Sequence, residues 1–192
     1  SVMLDSAMER EANPVPAMRS DTRITVYPNR ARFEAALRSL LCHEHGSCAM
    51  LHVAVVGHAG TGSISRRMLN LVGSTLRVCM RAGEVAYLGD AEFAVLLHGV
   101  DAREAAAYAR TVITIVSSFR VMWEGELLGA EAHIGGVMFG DGEVNTGLLS
   151  LAEDASQVAA DKLGCKLHLL QDPREAAPLS PALPQALSQD LR

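Results

Sequence analysis

The chain has 192 residues, of which 49% are hydrophobic, 20% are charged and only 4% are aromatic, and its formal net charge is -5. This length and balance predict one globular domain with an aliphatic core, and the negative charge disfavours a nucleic-acid partner, because phosphate backbones attract clustered Lys and Arg. No apolar run reaches the roughly 18 residues that span a bilayer, no signal-peptide pattern opens the sequence, and the cysteines lack the spacing of a disulfide scaffold. We therefore expect a cytoplasmic domain with no membrane span in this segment.

Prolines mark the boundaries of the expected domain. None occurs between Pro28 and Pro173, whereas both flanks contain several. A long stretch without proline is typical of continuous secondary structure, and proline-rich flanks are typical of linkers. We expect an N-terminal linker or lead-in helix at residues 1–21, a domain at 22–171 and a linker at 172–192. The last six residues indicate the start of another helix, so we expect the sequence to be a piece of a longer protein.

Helical and strand periodicities alternate within the expected domain. The predicted elements are, in chain order, a helix at 33–41, a strand at 49–56, a helix at 64–79, a hairpin of strands 85–88 and 93–97, a helix at 101–118, strands at 121–123 and 127–139, a helix at 146–163 and a strand at 166–170. This order predicts an α+β sheet with helices packed on it.

The central hairpin reads VAYLGDAEFAVLL at 85–97 and resembles the signature of the GGDEF family of diguanylate cyclases, VARLGGDEFAVLL. Further similarity follows in the right order: ITVYPNR at 24–30, HIGGV at 133–137 and the helix at 148–164. The resemblance implies a central, mostly antiparallel sheet of about five strands flanked by helices, plus a small hairpin. It also implies a place in cyclic di-GMP signalling.

The signature turn departs from the family pattern. In active members its carboxylates, with one from the first strand, hold two Mg²⁺ ions for phosphoryl transfer. Here the turn is Gly89, Asp90, Ala91, Glu92 and Phe93. Asp90 replaces the second glycine and Ala91 replaces the catalytic acid, so that only Glu92 stands at a metal-ligand position. A one-residue shift would align Asp90 with the acid but would put Glu92 and Phe93 out of register.

Other nucleotide contacts of the family are also missing. The segment from Ala49 to Leu69 contains no Asp, Glu or Asn, so the metal carboxylate and the guanine-binding pair are absent. The triphosphate-binding lysine corresponds to Asp161, and a later basic residue corresponds to Cys165. The resemblance therefore implies a degenerate cyclase: we expect no enzymatic activity, no catalytic residue, no bound metal and no cofactor.

A further family motif, the R-x-x-D product-inhibition site, has a counterpart in Arg81 and Glu84, which form R-x-x-E one residue closer to the hairpin. Arg81 could bind phosphate and Glu84 could accept a hydrogen bond from guanine, which makes them a candidate vestigial allosteric site. The alternative is a solvated pair in a surface turn, which is the usual state of such residues.

Two loops resemble binding motifs. Residues 57–63, GHAGTGS, follow a strand as a phosphate loop does, but Ser63 stands where such a loop has lysine, which favours a glycine-rich connector. Residues 42–48, CHEHGSC, hold four potential zinc ligands in one short loop, which would crowd a tetrahedral site and favours a solvated loop. We expect His133 to be a partly buried packing residue, and four methionines to fill the core: Met68, Met80, Met122 and Met138.

From the resemblance and its departures we expect a catalytically inactive regulatory or structural module. It would relay signals, or mediate dimerisation, between a sensor domain and an EAL phosphodiesterase-type domain, and a regulatory protein is a further candidate partner. The alternative is an allosteric receptor module that binds GTP or cyclic di-GMP. A residual cyclase that acts as a heterodimer is disfavoured by Ala91.

Overall fold

In the computed structural model, which describes residues 29–41, 46–57, 64–79, 83–123, 125–140 and 147–176, four helices and six strands follow one another. Their bounds are α1 Arg30–Leu41, β1 Cys48–Gly57, α2 Arg66–Cys79, β2 Gly83–Gly89, β3 Glu92–His98, α3 Ala102–Ser118, β4 Arg120–Trp123, β5 Glu126–Phe139, α4 Leu148–Asp161 and β6 Leu167–Leu170, followed by the 3-10 helix Pro173–Ala176.

The strands form one sheet in the order β2-β3-β1-β5-β4, in which every neighbouring pair is antiparallel. The sixth strand, β6, pairs with β5 in parallel. β1 lies at the centre, which explains its almost unbroken apolar sequence, because a central strand is covered on both faces. The predicted mixed fold with a mostly antiparallel sheet of about five strands is confirmed, and β6 adds a parallel strand.

The side chains of β1 alternate between two cores. Leu51, Val53 and Val55 belong to one core, which α2 and α3 cover, whereas Cys48 and Met50 belong to the other, which α1 and α4 cover. Successive residues of a strand point to opposite faces of the sheet, so this alternation follows from the strand period. The next residue on the α1/α4 face after Met50 is a histidine.

Two local features fix the helices that flank the sheet. Asp101 caps α3 as predicted: its carboxylate accepts from the Glu104 amide at 2.8 Å, and the Glu104 carboxylate accepts from the Asp101 amide at 2.9 Å. Gly135 lies under α4, where an added Cβ would overlap the backbone of Ala152 and Ser156. The missing side chain lets α4 approach the sheet closely and places Ser156 over β1.

The prediction that the methionines fill the core is confirmed at two positions and wrong at a third. Met68 and Met138 are buried as predicted, but Met122 is 58% exposed, because it lies on the open face of the β4–β5 hairpin, paired with Leu127. Among the described residues, no helix combines the length and the apolar character that crossing a bilayer requires.

The predictions for residues 1–21, 42–45, 58–63 and 177–192, and those for Met80 and Arg81, lie outside the described residues. The domain boundaries at 22 and 171 stay predictions. The described chain continues past 171 into the 3-10 helix Pro173–Ala176, which packs against α4, β5 and β6.

Candidate functional site

The turn between β2 and β3 has an unusual backbone. Asp90 and Ala91 have φ angles of 48° and 67°, in the left-handed region, and Gly89 has a φ of 108°. Two positive φ angles at the centre of a two-residue hairpin loop are typical of a type I′ turn, which normally carries Asn-Gly. The left-handed conformation costs roughly 1–2 kcal/mol for a residue with a Cβ. The signature turn is therefore strained at Ala91.

The strained turn is anchored to β1. The Val55 amide donates to the Ala91 carbonyl at 3.1 Å, and the strand register places Ala54 opposite Glu92. Phe93 is 1% exposed and packs against the ring of Tyr87, with the centroids 5.2 Å apart. Strain of this kind persists only where surrounding contacts fix the backbone, and it is concentrated at binding and catalytic sites.

A buried histidine on β1 faces the turn. His52 is 2% exposed, and its Nε2 lies 3.5 Å from the Oε2 of Glu92. Its Nδ1 lies 2.7 Å from the hydroxyl oxygen of Ser156 on α4. Burial lowers the pKa of His52, and this effect exceeds the opposite effect of the Glu92 and Glu153 carboxylates. The imidazole is therefore neutral near pH 7.

Polar contacts continue from His52 to α1. The hydroxyl of Ser156 donates to the Glu153 carbonyl at 2.8 Å, and the Glu153 carboxylate lies 3.4 Å from the Arg30 guanidinium. Arg30 also contacts Glu34 at 3.1 Å. We call the series Arg30, Glu153, Ser156, His52 and Glu92 the polar path. It joins the first described helix to the signature turn through α4 and β1.

The structure brings together only some of the residues that the sequence singled out. Gly89, Asp90, Ala91, Glu92 and Phe93 form the turn and the start of β3. Glu84 is exposed on β2, where it pairs with Leu96 and not with the turn, and Arg81 lies outside the described residues.

The residues at the end of α4 and the start of β6 have partners of their own. Lys166 forms an ion pair of 2.9 Å with Glu131, and Asp161 accepts from Gln157 at 3.0 Å. His133 lies on β5 opposite Ala54 of β1 and is half-buried, as predicted. Its Nδ1 has no hydrogen-bond partner.

Sequence reasoning missed His52 and Ser156. The available signal was a single histidine inside an otherwise apolar strand that is buried on both faces. Buried polar side chains are almost always hydrogen-bonded, so such a residue predicts a partner elsewhere in the chain. The pattern does not indicate which partner, because Ser156 is 104 residues away.

The Mg²⁺ ions implied by the family pattern do not fit the donors at this site. Mg²⁺ prefers six oxygen ligands in octahedral geometry. Beside Glu92, β1 presents the nitrogen of His52 and the methyl group of Ala54. In the described part of the chain, no group of three or more His, Cys, Asp or Glu side chains is arranged to hold a metal ion.

Comparison with known proteins relates the chain to diguanylate cyclases. No family model matches it. The chain is 26% identical over 185 residues to the probable diguanylate cyclase DgcE of Escherichia coli K12, a match that covers 90% of this chain but only 16% of that protein. In structure it is similar to the GGDEF domain of DgcB from Caulobacter crescentus in complex with c-di-GMP, with a TM-score of 0.65 and 20% identity over 77% of this chain and 90% of that one. It is also similar to the FimX GGDEF domain from Pseudomonas aeruginosa, with a TM-score of 0.61 and 17% identity over 77% of this chain and 96% of that one.

These comparisons confirm the GGDEF-like fold and correct one prediction. The prediction that the chain is not an enzyme is wrong, because the E. coli protein to which it is similar is named a probable diguanylate cyclase, which is a class of enzyme. The prediction took the loss of motif residues as the loss of chemistry. That inference does not hold, because the turn still presents the carboxylate of Glu92 beside the imidazole of His52, and both groups can transfer protons.

Proposed function

We propose that this chain is a GGDEF domain of cyclic di-GMP signalling in the cytoplasm, and that it regulates neighbouring domains by relaying a change of conformation. The GGDEF-like fold and the similarity to a probable diguanylate cyclase support the signalling role. Most of that relative lies outside the matched region, since the chain spans 16% of its length. A domain embedded in a longer protein has neighbours with which it can exchange such a signal.

The observation that carries the regulatory part is the polar path. It runs from Arg30 on α1 through Glu153 and Ser156 on α4 and His52 on β1 to Glu92, which lies in the signature turn at the start of β3. Energetic coupling between distant sites is carried by contiguous networks of this kind when their elements have two arrangements. The proposal therefore requires a second arrangement of α1 and α4, in which a displacement of α1 reaches the turn through the contacts of α4.

The C-terminal end of the described chain also packs against α4. The 3-10 helix Pro173–Ala176, which leads out of the domain, packs against α4. α4 thus contacts the first described helix, the last described helix and the histidine beside the turn. The partners that suit this role are a sensor domain before the chain, an EAL domain after it, a second copy of the chain or a regulatory protein.

The proposal is tested in cells with the protein in its natural flanking sequence. Expression in a bacterium should change the cyclic di-GMP level, measured by mass spectrometry, at least twofold. Arg30→Gln, which removes one end of the polar path, should reduce that change by half or more. Arg38→Gln alters an exposed arginine of the same helix outside the path and serves as the matched control.

Two results would overturn the proposal separately. A cyclic di-GMP level that does not respond to expression would remove the signalling role. A response that is equal in the parent protein, Arg30→Gln and Arg38→Gln would leave the signalling role and remove the relay.

The strained turn favours a second candidate function, an allosteric receptor for GTP or cyclic di-GMP. Ala91 is held at a φ of 67°, and its carbonyl is fixed by Val55, which is the kind of strained, anchored backbone found at ligand sites. A ligand at 100 times its dissociation constant adds about 2.7 kcal/mol to stability. The thermal midpoint should then rise by about 5–10 °C with the correct nucleotide. No rise with GTP and Mg²⁺ or with cyclic di-GMP would exclude this candidate.

A further inference from the structure

The outer side of α2 carries apolar side chains that the fold leaves exposed. The helix packs on the sheet through Met68, Val72 and Leu76, which are buried. On its other side Leu71 is 40% exposed and Val78 is 82% exposed. These two residues are seven positions apart, or about two helical turns, so their side chains lie in line along the helix. An apolar pair with heptad spacing is the pattern by which one helix packs against another.

Two further residues complete this line and give it a charge. Arg67 precedes Leu71 by four positions, Ser74 lies between Leu71 and Val78, and both are exposed. We call Arg67, Leu71, Ser74 and Val78 the α2 stripe. The whole helix contains three arginines and no acidic residue. The α2 stripe therefore fits a helix that has an apolar side and carries negative charge.

Residues 1–12 of the same chain, SVMLDSAMEREA, have the complementary pattern. We call them the N-terminal segment. Leu4, Ala7 and Met8 have the i, i+3, i+4 spacing of one helical side, and Glu11 follows on that side seven positions after Leu4. The acidic residues of the N-terminal segment outnumber its arginine by three to one. Both the apolar spacing and the charge thus match the α2 stripe.

The intervening chain is long enough to bring the N-terminal segment to α2. Residues 13–28 connect it to the start of the described chain and span roughly 50 Å when extended. α1 and α2 pack on opposite faces of the sheet, and both contact β2, which is an edge strand. The connection therefore passes only one edge of the sheet, a distance of roughly 20 Å for two packed layers.

We propose that the N-terminal segment forms a helix that packs antiparallel against the α2 stripe of the same chain. In this orientation Glu11 lies beside Arg67, and Met8 contacts Leu71. The parallel orientation would instead place the carboxylate of Glu11 against the apolar side chain of Val78. This contact lies on the other face of the sheet from the polar path, so it does not rest on the proposed signalling function.

The test is amide hydrogen exchange of the whole 192-residue chain, followed by mass spectrometry of peptides from the N-terminal segment. These amides should exchange about tenfold more slowly than in an isolated peptide of the same sequence. Val78→Asp puts a carboxylate opposite an acidic helix and should remove most of this protection. Leu163→Asp changes a fully exposed leucine outside α2 and should leave the protection unchanged.

A charge reversal tests the orientation. Arg67→Glu should lower the protection of the N-terminal segment about threefold, because it places like charges side by side. The variant is expected to fold, since an acidic residue in the first turn of a helix is favourable. Adding Glu11→Arg to Arg67→Glu should restore the protection of the parent chain.

Three results would overturn the proposal. The first is a parent chain whose N-terminal segment exchanges as fast as the isolated peptide. The second is equal protection in Val78→Asp and Leu163→Asp, or a charge reversal at Glu11 that restores nothing. The third is protection that rises with chain concentration together with a dimer in light scattering, which would assign the α2 stripe to a second copy of the chain.

Discussion

On the face of the sheet covered by α2 and α3, β1 contributes Leu51, Val53 and Val55 to a core of aliphatic side chains. On the opposite face the same strand places His52 between Ser156 of α4 and Glu92 of the signature turn. Both faces are buried, so burial alone does not distinguish them. The first face stabilises the fold by removing apolar area from water, whereas the second has, beside its own apolar core, the paired polar groups that form the candidate site.

The largest loss of stability is expected from a substitution on the face covered by α2 and α3. Leu51 is fully buried, so Leu51→Ala should lower the free energy of unfolding by about 2–5 kcal/mol through lost transfer energy and a residual cavity. Urea denaturation measures the change. A loss below about 1 kcal/mol would show that the packing around Leu51 is loose and would weaken the contrast between the two faces.

Substitution of a glycine under α4 should cost nearly as much stability. Gly135→Ala introduces a Cβ that overlaps the backbone of α4, so it should destabilise the chain by about 3 kcal/mol and displace Ser156 from His52. Gly140→Ala is the matched control, since an added Cβ at Gly140 meets nothing within 4 Å. Equal denaturation midpoints for the two variants would contradict the close approach of α4.

In the strained turn, by contrast, a substitution should raise the stability of the chain. Ala91→Gly removes the cost of a Cβ at a φ of 67° and should stabilise the chain by about 1 kcal/mol. Ala107→Gly, at an exposed position inside α3, should instead destabilise it by about 1 kcal/mol. If Ala91→Gly were destabilising as well, Ala91 would not be strained.

The smallest effect is expected at Tyr108, whose hydroxyl donates to the Leu76 carbonyl at 3.1 Å. Burial, and to a lesser extent the Cys79 thiol, raises the pKa of Tyr108. The folded state thus favours the neutral phenol, so its contribution is present below the unfolded pKa of about 10 and is lost as the pH rises above it. Tyr108→Phe should cost about 1 kcal/mol at pH 8. Between pH 8 and about 10.5, the free energy of unfolding of the Tyr108→Phe variant, measured by urea denaturation, should fall less than that of the parent chain.

The sequence predicted the elements well, for reasons that particular residues make clear. The helical spacing of Met68, Val72 and Leu76, and the cap at Asp101, are local signals that depend on a few neighbouring residues. The contact between His52 and Ser156 joins two elements that only the folded sheet brings together. The left-handed conformation of Ala91 was equally hidden, because alanine gives no sign of a turn that normally carries glycine.

The pairing of β6 and the exposure of Met122 show the same limit. The pattern predicted a last strand but not its parallel pairing with β5, which depends on the path of α4 over the sheet. It placed Met122 in the core because the residue is apolar, although the open face of a hairpin leaves such a side chain exposed. Local periodicity determines the type of each element, and the contacts between distant elements determine the site.

The measurement that tests the central claim most directly is amide hydrogen exchange at Val55, whose amide donates to the Ala91 carbonyl and so reports how firmly the signature turn is held. Ser156→Ala breaks the polar path between α4 and His52, and Ser118→Ala removes a similar serine bond to a helical carbonyl outside the path. If the polar path holds the turn, the Val55 amide exchanges at least several-fold faster in Ser156→Ala and at the parent rate in Ser118→Ala. Equal exchange rates in the two variants would contradict the account.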